Sequence, residues 1–229
     1  MKAYYEDVWA ELGDDPPWAW EWRRGLLSRE VRAGERVLDL GCGAGHFLAL
    51  IRRLGAHPIG VELSERALAR AHAREPAAET LLLAADGSIP LGHGSIDLVW
   101  CSEVIEHVAD VGLLLNEVRR VLRPGGRLLL TTPFHGRVKG ALLALTRFDA
   151  HFDPLGQHLR FFTSSSLSRT LAAARLEVVE VSAAGGLPVL RESLVARALR
   201  PGAQSLRSAA SARRASSTSD VEPGLSGSR

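Results

Sequence analysis

Val37-Leu38-Asp39-Leu40-Gly41-Cys42-Gly43-Ala44-Gly45 is the stretch on which the fold of this chain turns. A short apolar run bounded by glycine reads as a buried strand. Three glycines at alternate positions let the chain turn tightly into a helix and let backbone approach a ligand at that helix's N-terminus. The G-x-G-x-x-G spacing of dinucleotide-binding domains calls for glycine at position 46, where this chain has His46. Asp39, two residues before Gly41, is a carboxylate at a depth that suits a positively charged ligand.

Outward from that turn, short apolar runs alternate with helical patterns. Strands are expected over 36–40, 58–63, 80–85, 96–102, 127–132, 177–182 and 193–200, and helices over 46–54, 64–74, 111–122 and 164–175. Ser64 and Thr163, with the serines after it, are helix N-caps, and Pro124-Gly125-Gly126 stops the third of these helices. In that helix Leu114, Leu115, Val118, Val121 and Leu122 recur at helical spacing. The alternation specifies an α/β fold: a Rossmann-like, doubly wound, mostly parallel sheet of seven strands with helices on both faces. The connection between the last two strands is too short for a crossover helix, so one of them is antiparallel. Ligands are expected at the carboxyl ends of the first four or five strands. There Glu62 is placed to accept hydrogen bonds from ribose hydroxyls, and Asp86 to receive an adenine amino group.

The 229 residues suit one such domain, and 46% hydrophobic with 24% charged residues is an ordinary globular mix. Cys42 and Cys101 are too few for a disulfide framework. No signal peptide is read at the N-terminus, and no stretch approaches the roughly 18 apolar residues of a membrane span, so a cytoplasmic protein is expected. Residues 201–229 hold four Arg against Asp220 and Glu222, which accounts for the whole net charge of +2. That segment carries 8 Ser and no apolar period, and reads as a disordered tail. The body, neutral at 24 basic and 24 acidic groups, lacks the clustered positive charge of a duplex-binding face. The chain thus divides into an N-terminal helical lid (1–35), the α/β domain (36–200) and the tail (201–229).

Val37–Gly45, Glu62, Asp86, 97–108 and 122–133, in that order, resemble the class I S-adenosylmethionine-dependent methyltransferases, over about residues 30–200. The resemblance implies that Gly41, Gly43 and Gly45 approach the amino-acid part of S-adenosylmethionine and that Asp39 holds its amino group. It implies Glu62 on the ribose, Asp86 with Gly87 and Ser88 on the adenine, and Cys101 beside the cofactor as a small packing residue.

After the fourth strand comes Cys101-Ser102-Glu103-Val104-Ile105-Glu106-His107. A helical turn over 103–107 brings Glu103, Glu106 and His107 onto one face, offering three ligands to a divalent metal. Gln157-His158-Leu159-Arg160-Phe161-Phe162 is the source of a fourth, His158. This pattern resembles the O-methyltransferases of ubiquinone biosynthesis and the 2′-O-methyltransferases of small-RNA 3′ ends. By that resemblance Glu103, Glu106, His107 and His158 hold Mg²⁺ or another divalent cation, with His107, His158 and Glu103 acting in catalysis. The reading without a metal gives the Glu a capping or ion-pair role and His107 a role as base or substrate contact. His135, His151, Asp149 and Asp153 in the segment after strand five are further substrate-facing candidates. Six of 13 aromatic residues lie in positions 1–22, and Phe134, Phe148, Phe152, Phe161 and Phe162 form a second group. They suit a lid and a substrate wall, or ordinary packing of an N-terminal helix. The expected activity is O-methylation of a small hydroxylated acceptor, aromatic or a secondary metabolite. Alternatives are methylation of RNA ends, N- or C-methylation, and a non-catalytic cofactor-binding module.

Overall fold

A computed structural model describes residues 2–134, 136–146, 148–151, 158–186 and 191–202. The strands are β1 (Arg36–Leu40), β2 (His57–Glu62), β3 (Glu79–Leu82), β4 (Ile96–Ser102), β5 (Leu122–Pro133), β6 (Glu177–Ala184) and β7 (Ser193–Leu199). The helices are α1 (Lys2–Glu11), α2 (Trp20–Ser28), α3 (His46–Arg53), α4 (Glu65–Arg74), α5 (Val111–Val121), α6 (Arg137–Thr146), α7 (Phe148–His151) and α8 (Ser164–Ala173), with a 3-10 turn at Ile105–His107. One sheet holds the strands in the order β3-β2-β1-β4-β5-β7-β6. Every neighbour is parallel except β7, which runs antiparallel to β5 and to β6. The reversed strand expected from the short last connection is therefore Ser193–Leu199.

Period-2 alternation sorts the strand residues onto two buried faces. Leu38, Leu40, Val99, Cys101, Leu128 and Leu130 pack against Leu114, Leu115 and Val118 of α5 and Leu167 and Leu171 of α8. Val37, Leu98, Trp100, Leu129 and Val195 face Leu26 and Leu27 of α2 and Phe47, Leu50 and Ile51 of α3. Ser64 caps α4 by accepting from the Ala67 amide, and Thr163 with Ser166 forms a capping box on α8, as the sequence predicts.

Four expectations need correcting. The third expected helix ends at Val121 and β5 already begins at Leu122, so Pro124-Gly125-Gly126 lies within the strand and does not stop the helix. The third strand stops at Leu82, not at 85. Beyond it the Ala84 amide bonds to the Ser88 carbonyl and the Gly87 amide to the Ala84 carbonyl, so a turn around Asp86 takes up the backbone groups a strand would have used. The N-terminal unit is not a 35-residue lid. Leu27 of α2 is fully buried and belongs to the body, whereas α1 has no buried residue and lies on the surface. The turn after β4 is also not helical from 103, because Glu103 has φ 56° and only 105–107 coil. Of the proposed tail, residues 203–229 lie outside the described residues, as do His135, Phe152, Asp153, Gln157 and the side chain of His151.

The chain winds outward from β1 through β2 to β3, then returns to place β4 on the other side of β1. Such a reversal opens a crevice at the carboxyl ends of the two central strands. Leu40 pairs with Cys101 there, so the glycine turn after β1 lies beside the Glu103–His107 turn after β4.

Candidate active site

The first half of the crevice is built by the glycine turn and by acids on the first two strands. Gly45 has φ 80°, and a Cβ on it would sit 2.8 Å from the Ala71 Cα of α4. Both the conformation and the close helix packing require glycine. Glu62 ends β2 with its carboxylate held from three sides, by the amides of Gly43 at 3.1 Å, Leu63 at 2.7 Å and Ser64 at 3.2 Å. Burial pushes its pKa up, and those three donors oppose the shift. Asp86 lies on the surface of its turn, where the Ser88 hydroxyl (2.7 Å) and amide (2.9 Å) donate to it and hold its carboxyl below the usual range. Gly87 has φ 82° in the same turn.

Asp39 is 2% exposed, and its Oδ2 has no hydrogen-bond partner among the described residues. Burial pushes its pKa up to about 8, against the pull of the Arg23 guanidinium. Arg23 is the buried charged residue at this crevice that sequence reading missed. It is 5% exposed on α2, its Nε is also unpartnered, and it interacts electrostatically with Glu103, Asp39 and Glu106. Its guanidinium lies 5.5 Å from the centre of the Phe47 ring. The available signal was a basic residue three and four positions before Leu26 and Leu27, on the face of the helix that turns inward. The Cys101 side chain is 1% exposed and packs in the α5-facing core, where burial, with Glu106, Asp39 and Glu103 nearby, pushes its thiol far up.

The second half lies after β4. The Glu103 amide donates to the Thr131 carbonyl at 2.9 Å, which keeps Glu103 with the strand ends and out of the turn that follows. Glu106 is 1% exposed, accepts from the Thr132 hydroxyl at 3.0 Å, and leaves Oε1 without a hydrogen-bond partner. Burial and the neighbouring Glu103 push its pKa up to about 8. His107 Nε2 stands 3.7 Å from Glu106 Oε1, and the His107 and His158 rings are 5.0 Å apart. Donor atoms of Glu106, His107 and His158 all lie within 4.8 Å of one another. Glu103 does not join them among the described residues, because its left-handed backbone breaks the helical register the sequence suggested.

α1 lies across both halves. Glu6 accepts from the Ser64 hydroxyl (2.8 Å) and from the amides of Glu65 (2.7 Å) and Arg66 (3.3 Å) at the start of α4. The Trp9 ring lies where a Cβ on Gly43 would approach it to 2.8 Å. The Tyr5 ring stands edge-on to His107, 6.5 Å between centres. Burial, with Tyr4, Glu62 and Glu106 nearby, pushes the Tyr5 phenol up to about 12.

A seven-stranded sheet with a reversed last strand in sequence, a glycine turn after β1 and acids ending the first two strands define the class I S-adenosylmethionine-dependent methyltransferase fold. A family model described as "Methyltransferase domain" matches residues 20–181, and the chain belongs to that family. Among curated relatives, a ubiquinone biosynthesis O-methyltransferase of Cupriavidus pinatubonensis is 33% identical over 157 residues, 65% of this chain and 63% of that protein. One of Thiobacillus denitrificans is 32% identical over 167 residues, 69% of this chain and 72% of that protein. The chain thus spans a little under two thirds of the length of the first and somewhat more of the second. An S-adenosylmethionine-dependent methyltransferase of Mesorhizobium loti has the same fold, with TM-score 0.62 and 23% identity over 79% of this chain and 97% of that one. So does a geranyl diphosphate methyltransferase solved in complex with GPP and sinefungin, with TM-score 0.61 and 18% identity over 79% of each chain. No helix among the described residues is long and apolar enough to cross a membrane.

Proposed function

We propose that this protein transfers the methyl group of S-adenosylmethionine to a hydroxyl oxygen of a small acceptor, an aromatic or secondary-metabolite-like molecule. The observation that carries this reading is the convergence of Glu106, His107 and His158 on one point beside the glycine turn. Asp39 and Arg23 offer the donor's amino-acid end one buried anion and one buried cation, matching its ammonium and carboxylate. Each still has an unpartnered polar atom to give. Glu62 receives the ribose, and the turn at Asp86, Gly87 and Ser88 receives the adenine. α1 serves as the lid, with Trp9 and Tyr5 excluding water from the transfer path.

The acceptor hydroxyl must lose its proton as oxygen attacks the methyl carbon and the sulfur takes back its bonding pair. In this reading His107 takes that proton, and Glu106 at 3.7 Å, once ionised, stabilises the imidazolium that results. Two imidazoles and a buried carboxylate with a spare oxygen also suit a divalent cation. Glu106, His107 and His158 would hold it, and when bound it would lower the pKa of the acceptor hydroxyl. A neutral body favours a small acceptor over an RNA end.

Radiolabelled S-adenosylmethionine and a panel of catechols, simple phenols, aliphatic alcohols and short RNAs test the reading. Methyl transfer to a catechol or other small hydroxylated acceptor is expected, lost in chelator and restored by Mg²⁺ or Mn²⁺. Full activity in chelator removes the cation and leaves His107 as base. Transfer to RNA alone, or to nitrogen or carbon alone, overturns the proposal.

A further inference from the structure

We infer that Arg160 is a positioning residue that assembles the acceptor half of the site by fastening the segment bearing His158 to the loop bearing Glu106 and His107. The inference rests on the acceptor-side role proposed for His158.

His158 arrives from a different part of the chain than its partners. Glu106 and His107 follow β4 directly, whereas His158 lies in the long connection from β5 to α8. A long connection brings a residue to a given place only at an entropic cost, unless something ties it there. Three ties are present. The Leu159 amide donates to the Glu106 carbonyl at 2.9 Å. The Arg160 guanidinium donates through one terminal nitrogen to the Val108 carbonyl and through the other to the Ala109 carbonyl at 2.5 Å. Phe162 then pairs with Phe134 in a parallel bridge and is 6% exposed in the core.

Residues 158–161 are neither helix nor strand, and the amide of Leu159 faces the 106–109 loop between His158 and Arg160. The fork of Arg160 spans two successive carbonyls, those of Val108 and Ala109, directly after the turn that presents Glu106 and His107. A planar guanidinium bridges two acceptors in fixed geometry, whereas an ammonium offers a point charge to them. Arg160 therefore sets the separation of the His158 ring from the His107 ring without touching either donor or acceptor.

Four full-length variants test this: Arg160→Gln, Arg160→Lys, His158→Ala and the double variant His158→Ala/Arg160→Gln. Arg160→Gln is expected to lower kcat about 10- to 100-fold, the scale of a misplaced catalytic group. Its affinity for S-adenosylmethionine by calorimetry should stay within about twofold, which also reports that it folds. Arg160→Lys should fall between it and the parent. In the His158→Ala background, Arg160→Gln should change kcat less than about twofold, because its effect runs through His158.

A readout independent of turnover is the nuclear Overhauser contact between the His107 and His158 rings. It is expected in the parent protein and lost in Arg160→Gln, together with faster hydrogen exchange at Leu159 and unchanged exchange in α5. Survival of that contact in both Arg160 variants overturns the inference, whatever the activity. Fully additive losses in the double variant overturn it as well. If the contact is lost as expected but the parent methylates no acceptor, the positioning role stands and the proposed reaction is what fails.

Discussion

Arg23 and Asp39 form a buried pair of unlike charge whose members do not satisfy each other. Each keeps a polar atom without a hydrogen-bond partner, and a buried group left so costs about 1–3 kcal/mol. A zwitterionic ligand end supplies both missing partners at once. Arg23→Met keeps the volume and removes the cation. It should weaken S-adenosylmethionine binding about 10- to 100-fold, in line with one charge-assisted hydrogen bond. Calorimetry checks this, and unchanged affinity would remove Arg23 from the donor site. Asp39 was legible in the sequence because a carboxylate inside an apolar strand has no ordinary reason to be there. Arg23 was not, because basic residues on short amphipathic helices usually reach water, and only packing shows that this one does not. Glu103 shows the opposite error. Spacing placed it on one helical face with Glu106 and His107, but a left-handed backbone, which no residue type announces here, breaks that register, and its carboxylate instead lies among Arg23 and Glu106.

At the scale of elements, the strands and the capped helices were readable because local signals and burial agree. Ser64 and Thr163 begin their helices as N-cap chemistry demands. The sheet order was implied only as far as the crossover pattern goes, and which of the last strands reverses had to come from pairing. The N-terminal segment was expected to be helical, but its division into an exposed α1 and a buried α2 was not legible, since α1 buries no face of its own. Glu6 holds it as an anion at the N-terminus of α4 beside the Ser64 cap, with the Lys2–Glu65 ion pair and Arg70, over Trp9 and bonded to the Leu12 carbonyl, alongside. This latch is adjacent to Glu62, so in the proposed donor site binding and the position of α1 share residues 62–66. Glu6→Gln keeps an acceptor oxygen but loses the charge. Hydrogen exchange over residues 2–11 should accelerate several-fold and the KM for S-adenosylmethionine should rise a few-fold, while the melting temperature changes little. An unaltered exchange pattern would mean that Trp9 and Tyr5 hold α1 without the latch.

Across the whole molecule, the buried acids tie stability to ligand binding through pH. In the unfolded chain Asp39 loses its proton near pH 4, while in the fold burial holds it up to about 8. Between those limits the native state binds more protons than the unfolded state, so stability falls as pH rises. The contribution is complete below pH 4 and gone above about 8. Glu62, also pushed up by burial, acts with the same sign. Glu117, held down by its Arg120 hydrogen bond, acts oppositely, and its stabilisation is lost only as the solution becomes strongly acidic. One such buried carboxyl is worth about 1.4 kcal/mol per pH unit, which at this chain length corresponds to a few °C. The ligand-free protein should therefore melt progressively lower from pH 5.5 to 7.5. S-adenosylmethionine brings a cation to Asp39 and favours its ionised form, so binding should release a proton. The donor-induced rise in melting temperature should then grow across the same range. Calorimetry in buffers of different ionisation enthalpy counts that proton, and Asp39→Asn should make the melting profile shallower, leaving the part due to Glu106 and Glu62, and abolish the release. A donor affinity independent of pH, with no proton released, would place the ammonium elsewhere than on Asp39.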